Sequence, residues 1–109
     1  DAVHRALARS RELRAARAER ERIERLVATL TPREREVLTL VVAGLPNKLV
    51  ADRLGASEKT IKVHRGRVME KMRANSLADL VRMAQVVGVG PTPAGPHTAP
   101  GPIGRQTPR

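Results

Sequence analysis

The stretch from residue 57 to residue 73 is densely cationic, with six Lys or Arg and two Glu. If it is helical, Ile61, Val68 and Met72 share one face through spacings of seven and four. A different face then carries residues able to contact nucleic acid, namely Lys59, Lys62, Val63, Gly66 and Arg67. Lys and Arg donate to guanine edges and phosphates, and an outward Val can touch a thymine methyl group. The stretch therefore predicts a helix that fits the major groove of double-stranded DNA.

Two residues of this face argue against an ordinary solvated helix surface. Val63 interrupts the polar face without helping the core, and Gly66 costs about 1 kcal/mol relative to Ala in mid-helix. Such a Gly often marks a close approach of another molecule to the backbone. Tight packing against a neighbouring helix would explain Gly66 equally well, so the sequence leaves both explanations open.

The remaining composition limits the chemistry that the chain can perform. Among 109 residues there is no Cys, which excludes thiolate metal sites, and no Phe, Trp or Tyr, which argues against stacking of bases on aromatic rings. The three His lie in different segments, and no Gly-rich phosphate loop joins a strand to a helix. We expect no enzyme activity, no metal site and no cofactor. The net charge of +10 predicts an anionic partner.

Composition divides the chain into three segments. Residues 1–29 are rich in Arg and Ala without Gly or Pro, which predicts one long helix that is a linker, a dimerising coiled coil or a solvated helix. Residues 88–109 hold six of the eight Pro and five of the eight Gly, which predicts a disordered tail. No apolar run is long enough to span a membrane, and the charged start is unlike a signal peptide. We expect a cytoplasmic location.

Residues 30–87 predict four short helices and no strand, so the fold class is all-α. The run Thr31-Pro32-Arg33-Glu34 has the pattern of a capping box, and Gly44 ends the helix that it starts. The second helix ends at Gly55, while Ser57 and Ser76 cap the third and the fourth. The short turn between the second and third helices is typical of a helix-turn-helix unit.

Residues 30–84 closely resemble the LuxR/FixJ-type helix-turn-helix family, the DNA-binding output domain of many bacterial response regulators. The resemblance rests on the stretches LTPREREVLTLVVAGLPNKLVADRLGASEKTIKVHRGRVMEKM and SLADLVRMA. It implies a four-helix bundle preceded by a linker helix, with residues 30–87 as the DNA-binding domain. The receiver domain that precedes such a linker in the family is absent from this chain.

The resemblance also implies roles for individual residues. It implies base contacts for Lys62, Val63 and Gly66, to which Arg67 is added because of its charge. It implies contacts to the DNA backbone for Asn47, Lys48, Thr60 and His64, to which Lys59 and Arg65 are added because of their charge. Dimer contacts are expected from Leu77, Val81, Ala84 and Gln85, although an intramolecular core role for this last set is equally compatible with the sequence. Glu34 resembles a buried structural Glu of the family, and Lys71 and Arg73 are expected to add nonspecific attraction to DNA.

The expected function is sequence-specific binding of double-stranded DNA and regulation of transcription. The implied partners are a second copy of the chain on DNA, RNA polymerase, and a sensor histidine kinase that acts through the receiver domain. Two alternatives remain open at this stage. One is a sigma-factor-like promoter-binding domain, and the other is a helical adaptor whose Arg-rich first helix binds an acidic protein.

Overall fold

The computed structural model describes residues 1–90, which form five helices and no strand. The helices are α1 (Ala2–Ala28), α2 (Pro32–Val42), α3 (Asn47–Leu54), α4 (Glu58–Met72) and α5 (Leu77–Val87). The predicted all-α fold, a four-helix unit preceded by a long helix, is confirmed. The tail predicted for residues 88–109 lies outside the described residues from residue 91 onward.

Short-range capping explains where the helices begin and end. Four helices start with a side chain that accepts from a first-turn N–H, on Asp1, Thr31, Ser57 and Ser76. At the predicted capping box, the Glu34 N–H donates to Thr31 Oγ1 at 3.1 Å. The Thr31 N–H in turn donates to Glu34 Oε1 at 3.0 Å. The fifth helix, α3, begins after Pro46 and has no side-chain cap.

One aliphatic core joins all five helices. It contains no aromatic side chain and is built from Ile23, Val27, Leu30, Val37, Leu38, Val41, Val50, Ala51, Ile61, Val68, Met72, Leu80 and Met83. The end of α1 belongs to this core through Ile23 and Val27. The start of α1 does not, because Val3, Leu7 and Leu13 are all exposed. This helix, about 40 Å long, therefore anchors itself by its last turns.

A buried ion pair ties the end of α4 to the start of α2. Lys71 Nζ donates to Glu34 Oε1 at 2.8 Å, and it lies 3.4 Å from the carbonyl oxygen of Thr29. Only 2 % of the Glu34 side chain is exposed. The hydrogen bonds from Lys71 and from the Thr31 N–H hold the pKa of Glu34 below its ordinary value. Lys71 is thus paired with Glu34, whereas the sequence predicts a free cation that attracts DNA.

We predict that Lys71→Met lowers the free energy of unfolding by about 2 kcal/mol at pH 7, the value typical of a hydrogen bond to a charged group. A carboxyl whose pKa falls on folding stabilises the fold only while it is ionised. The stabilisation is therefore complete above the ordinary Glu pKa of about 4.3 and disappears as the pH falls through the lower folded-state pKa. Urea denaturation at pH 7 and at a strongly acidic pH should show the difference between the two proteins shrinking in acid.

The control for this experiment is Arg33→Met. Arg33 pairs with Glu36 at 3.3 Å, and both side chains are largely exposed. Exposed pairs contribute little to stability, so this variant should unfold nearly as the wild type does at both pH values. Equal stability of the Lys71→Met variant and the wild type at pH 7 would contradict the structural role of the buried pair.

Candidate nucleic-acid interface

The turn between α3 and α4 is short because Gly55 reverses the chain in a left-handed conformation. Gly55 has φ 65° and ψ 37°, a region that residues with a Cβ adopt only under strain. The Ala56 N–H donates to the carbonyl oxygen of Ala51 at 3.0 Å, which closes the end of α3. Ser57 Oγ then accepts from the Thr60 N–H at 3.1 Å and starts α4. Local chemistry therefore gives the short turn of a helix-turn-helix unit.

The rotation of α4 about its axis follows from its apolar stripe. Ile61, Val68 and Met72 are buried in the common core. Because these residues occupy the inward side, the opposite side of the helix is left to solvent. The four predicted base-contacting residues all lie on that exposed side, namely Lys62, Val63, Gly66 and Arg67. Val63 is 47 % exposed, so an apolar group is presented outside the core.

The exposed face of α4 keeps its positive charges unpaired within residues 1–90. Lys59, Lys62 and Arg67 form no ion pair in this part of the chain. Lys71, by contrast, is occupied by Glu34. Charges that are not neutralised internally remain available to an anionic ligand and attract it over distance. The face therefore has the electrostatic character that a phosphate-bearing partner requires.

Gly66 has no packing role among the described residues. A Cβ atom built on Gly66 would meet no heavy atom within 4 Å, and the residue is exposed. Of the two explanations that the sequence left open, packing against a neighbouring helix is therefore not supported. The backbone at Gly66 is accessible to a molecule that approaches α4 from outside.

The residues predicted to contact a DNA backbone lie in two different environments. Lys48, Lys59 and Thr60 are exposed at or near the beginnings of α3 and α4. Asn47 and Arg65 are only partly exposed, and they are bonded to each other, with Arg65 Nη1 donating to Asn47 Oδ1 at 3.1 Å. Sequence reasoning missed this bond, because a separation of eighteen residues carries no spacing signal. The structure thus brings two predicted DNA contacts together inside the protein.

His64 lies beside this bonded pair along α4 and is partly buried. Its Nδ1 atom is buried and finds no hydrogen-bond partner among residues 1–90. Any polar contact with an external molecule would therefore have to use the other ring nitrogen, Nε2.

The predicted dimer contacts on α5 divide between surface and core. Leu77 is 43 % exposed, Gln85 is exposed, and Val81 is partly buried. Ala84 is only 1 % exposed, so it offers no surface to another molecule. The alternative intramolecular role, which the sequence left open, describes Ala84 correctly. The expectation that Ala84 contacts a second chain has to be withdrawn for this reason.

Residues 1–90 contain neither a metal-binding cluster nor a membrane-spanning helix. No cluster of three or more His, Cys, Asp or Glu side chains is arranged to hold a metal ion in that range. Within the same residues, no helix combines the length and the apolar character needed to cross a bilayer.

Comparison with known proteins places this geometry in a family. The model of the family described as "Bacterial regulatory proteins, luxR family" matches residues 28–84. Nodulation protein W of Bradyrhizobium diazoefficiens is 49 % identical over 89 residues, covering 82 % of this chain and 39 % of that protein. The transcriptional regulatory protein FixJ of Rhizobium meliloti is 58 % identical over 64 residues, covering 59 % of this chain and 31 % of that protein. The chain thus spans about two fifths or less of these relatives.

Solved structures support the same relationship. Full-length FixJ from B. japonicum superimposes with a TM-score of 0.66 and 43 % identity, covering 76 % of this chain and 41 % of that one. The solution structure of the C-terminal transcriptional activator domain of FixJ from Sinorhizobium meliloti superimposes with a TM-score of 0.58 and 54 % identity. The match covers 64 % of this chain and 89 % of that one. The chain therefore belongs to the luxR family of bacterial regulatory proteins and is homologous to the output domains of FixJ- and NarL-type response regulators.

Proposed function

We propose that this chain binds double-stranded DNA in a sequence-specific manner and regulates transcription as the output domain of a two-component response regulator. The observation that carries the proposal is the exposed face of α4, whose cations Lys59, Lys62 and Arg67 have no internal partner within residues 1–90. Membership of a family of regulatory proteins favours this function over an enzymatic one.

Sequence readout is assigned to the middle of α4. Lys62 and Arg67 donate to guanine edges in the major groove, and Val63 contacts a thymine methyl group. Gly66 lets the DNA approach the helix backbone closely, since it has no side chain and open space around it. Backbone contacts that fix the register of the protein come from Lys48, Lys59, Thr60 and His64, the last through Nε2.

Two copies of the domain are needed for a specific site of useful affinity. One module of this size buries only roughly 600–1,000 Å² on DNA. Leu77, Val81 and Gln85 of α5, which are exposed or partly exposed, are proposed to contact a second copy. A dimer of this kind recognises two half-sites about 10 base pairs apart.

The remaining assignments concern the protein to which this domain belongs. We assign residues 30–87 to the DNA-binding domain and residues 1–29 to a linker helix whose last turns, with Ile23 and Val27, complete the core. Upstream control is assigned to a receiver domain phosphorylated by a sensor histidine kinase. The output is assigned to contact with RNA polymerase.

Selection of bound duplexes from a random pool tests the proposal directly. The selected duplex should bind more tightly than a scrambled one, and the logarithm of its affinity should fall steeply with the logarithm of salt concentration. A two-fold symmetric consensus is expected from a dimer. A flat salt response, or equal affinity for every duplex, would rule the proposal out.

The variants Lys62→Ala and Lys59→Ala should separate base readout from backbone contact. Lys62→Ala should reduce the preference for the selected duplex by about 1–3 kcal/mol, the value of a good base contact. Lys59→Ala should instead weaken binding to both duplexes equally. It should also reduce the salt slope, which is the slope of the logarithm of affinity against the logarithm of salt concentration, by about 1. Titrations of both duplexes at several salt concentrations measure these quantities. The reverse pattern, with Lys59 controlling preference, would contradict the assigned roles.

Gly66→Ala should move stability and DNA affinity in opposite directions. The added methyl group meets no atom of the protein, so the helix gains up to about 1 kcal/mol of stability. The same methyl group obstructs the proposed close approach of DNA, so affinity for the selected duplex should fall. Thermal unfolding and duplex titration measure the two effects.

The matched control for Gly66→Ala is Ala18→Gly on the exposed part of α1. It changes helix propensity in the opposite direction, far along the sequence from α4, and should leave DNA affinity unaltered. If Gly66→Ala stabilises the protein without weakening binding, DNA does not approach the helix at this position.

A further inference from the structure

Arg65 and Asn47 form the only side-chain hydrogen bond between α3 and α4 in the described part of the chain. Arg65 Nη1 donates to Asn47 Oδ1 at 3.1 Å, and both residues are partly buried. A guanidinium group has donors and no acceptor, so the Asn47 amide must offer its oxygen to it. The Nδ2 group of Asn47 is thereby left as the free end of the amide, with two N–H donors and no partner in residues 1–90.

The position of Arg65 on α4 differs from that of the proposed base-contacting residues. Arg65 lies four residues after Ile61 and three before Val68, so it shares their side of the helix. Ile61 and Val68 are buried, whereas Lys62 and Gly66 are exposed. The Arg65 side chain consequently reaches toward α3 and ends on Asn47.

Asn47 stands at the first position of α3, next to the exposed Lys48. No side chain caps this helix, because Pro46 occupies the capping position. An unrestrained Asn at this place could present either its oxygen or its N–H₂ group outward. Only the N–H₂ group is suited to a phosphate oxygen, since the amide oxygen would repel it.

We propose that Arg65 is a positioning residue, which turns the Asn47 amide so that its N–H₂ group donates to a phosphate of the bound DNA. This inference rests on the proposed DNA binding, and it replaces the direct phosphate contact that the sequence suggested for Arg65. The adjacent guanidinium also polarises the amide, which makes its N–H groups better donors. The contact to phosphate is then made by a neutral group that a partly buried cation orients.

A double-mutant cycle on the selected duplex tests this assignment. Asn47→Ala and Arg65→Met should each weaken binding by roughly tenfold, the loss expected when a hydrogen bond to a charged group disappears. The double variant should bind about as well as either single variant, because both substitutions remove the same contact. Arg65→Met should leave the salt slope nearly unaltered, whereas each direct cation–phosphate contact contributes about 0.9.

Lys48→Met is the matched control, since it removes an exposed cation beside Asn47 on the same helix. Removal of this cation should reduce the salt slope by about 0.9. The loss of affinity in Lys48→Met should add to the loss in Arg65→Met. Arg65→Gln supplies a second variant, because its amide keeps an N–H donor without the charge. If Arg65 acts by orienting Asn47, Arg65→Gln should recover part of the affinity that Arg65→Met loses. The salt slope of Arg65→Gln should stay nearly unaltered. Thermal unfolding of each variant checks that the domain is intact.

The nuclear magnetic resonance signals of the Asn47 side-chain amide provide a readout that does not depend on affinity. At saturating duplex they should shift in the wild type, and this shift should be reduced in Arg65→Met. The inference is overturned if Arg65→Met lowers the salt slope by about 0.9, the value of one direct phosphate contact, and if its loss of affinity adds to that of Asn47→Ala. It is also overturned if Asn47→Ala binds DNA as tightly as the wild type does. Absence of salt-dependent binding by the wild type would instead refute the proposed function, before any variant is compared.

Discussion

Burial of Ile61, Val68 and Met72 fixes the rotation of α4, and the character of the proposed interface follows from that rotation. A helix has one side to turn inward, and here the aliphatic side chains occupy it. The exposed side is then necessarily the one that carries Lys62 and Arg67. A core without aromatic residues supplies limited hydrophobic stabilisation, so each buried aliphatic side chain matters. This explains why the last turns of α1 are part of the domain.

The charges of the chain serve two separate purposes. Glu34 and Lys71 hold the end of α4 against the junction between α1 and α2. A second contact between helices is made by Arg82 of α5, which donates to Glu19 of α1 at 3.3 Å. The pKa of Glu19 is lowered, first by its hydrogen bond with Arg22 and to a smaller extent by that with Arg82. These paired charges orient helices, whereas the unpaired cations of α4 are free to meet a ligand.

The exposed ion pair of Arg82 and the buried ion pair of Glu34 respond differently to salt. Arg82 is half exposed, so its link to α1 is screened by salt and contributes modestly to stability. Glu34 is almost completely buried, so its contact with Lys71 at the end of α4 is screened less by salt than an exposed pair is. DNA binding, by contrast, is expected to be governed by salt through the exposed face of the same helix.

Local sequence determined the helices, their caps and the exposed face of α4. The caps depend only on residues close together in the sequence, namely Thr31 with Glu34, Gly55 and Ser57. Helical spacing decides which side chains share a face. Only the tertiary structure decided which face meets which neighbour. Lys71 and Arg67 are both cations of α4, yet Lys71 is bonded to the buried Glu34 whereas Arg67 is exposed. Such outcomes, and the bond between Arg65 and Asn47, depend on how helices cross, which residue spacing along one helix does not encode.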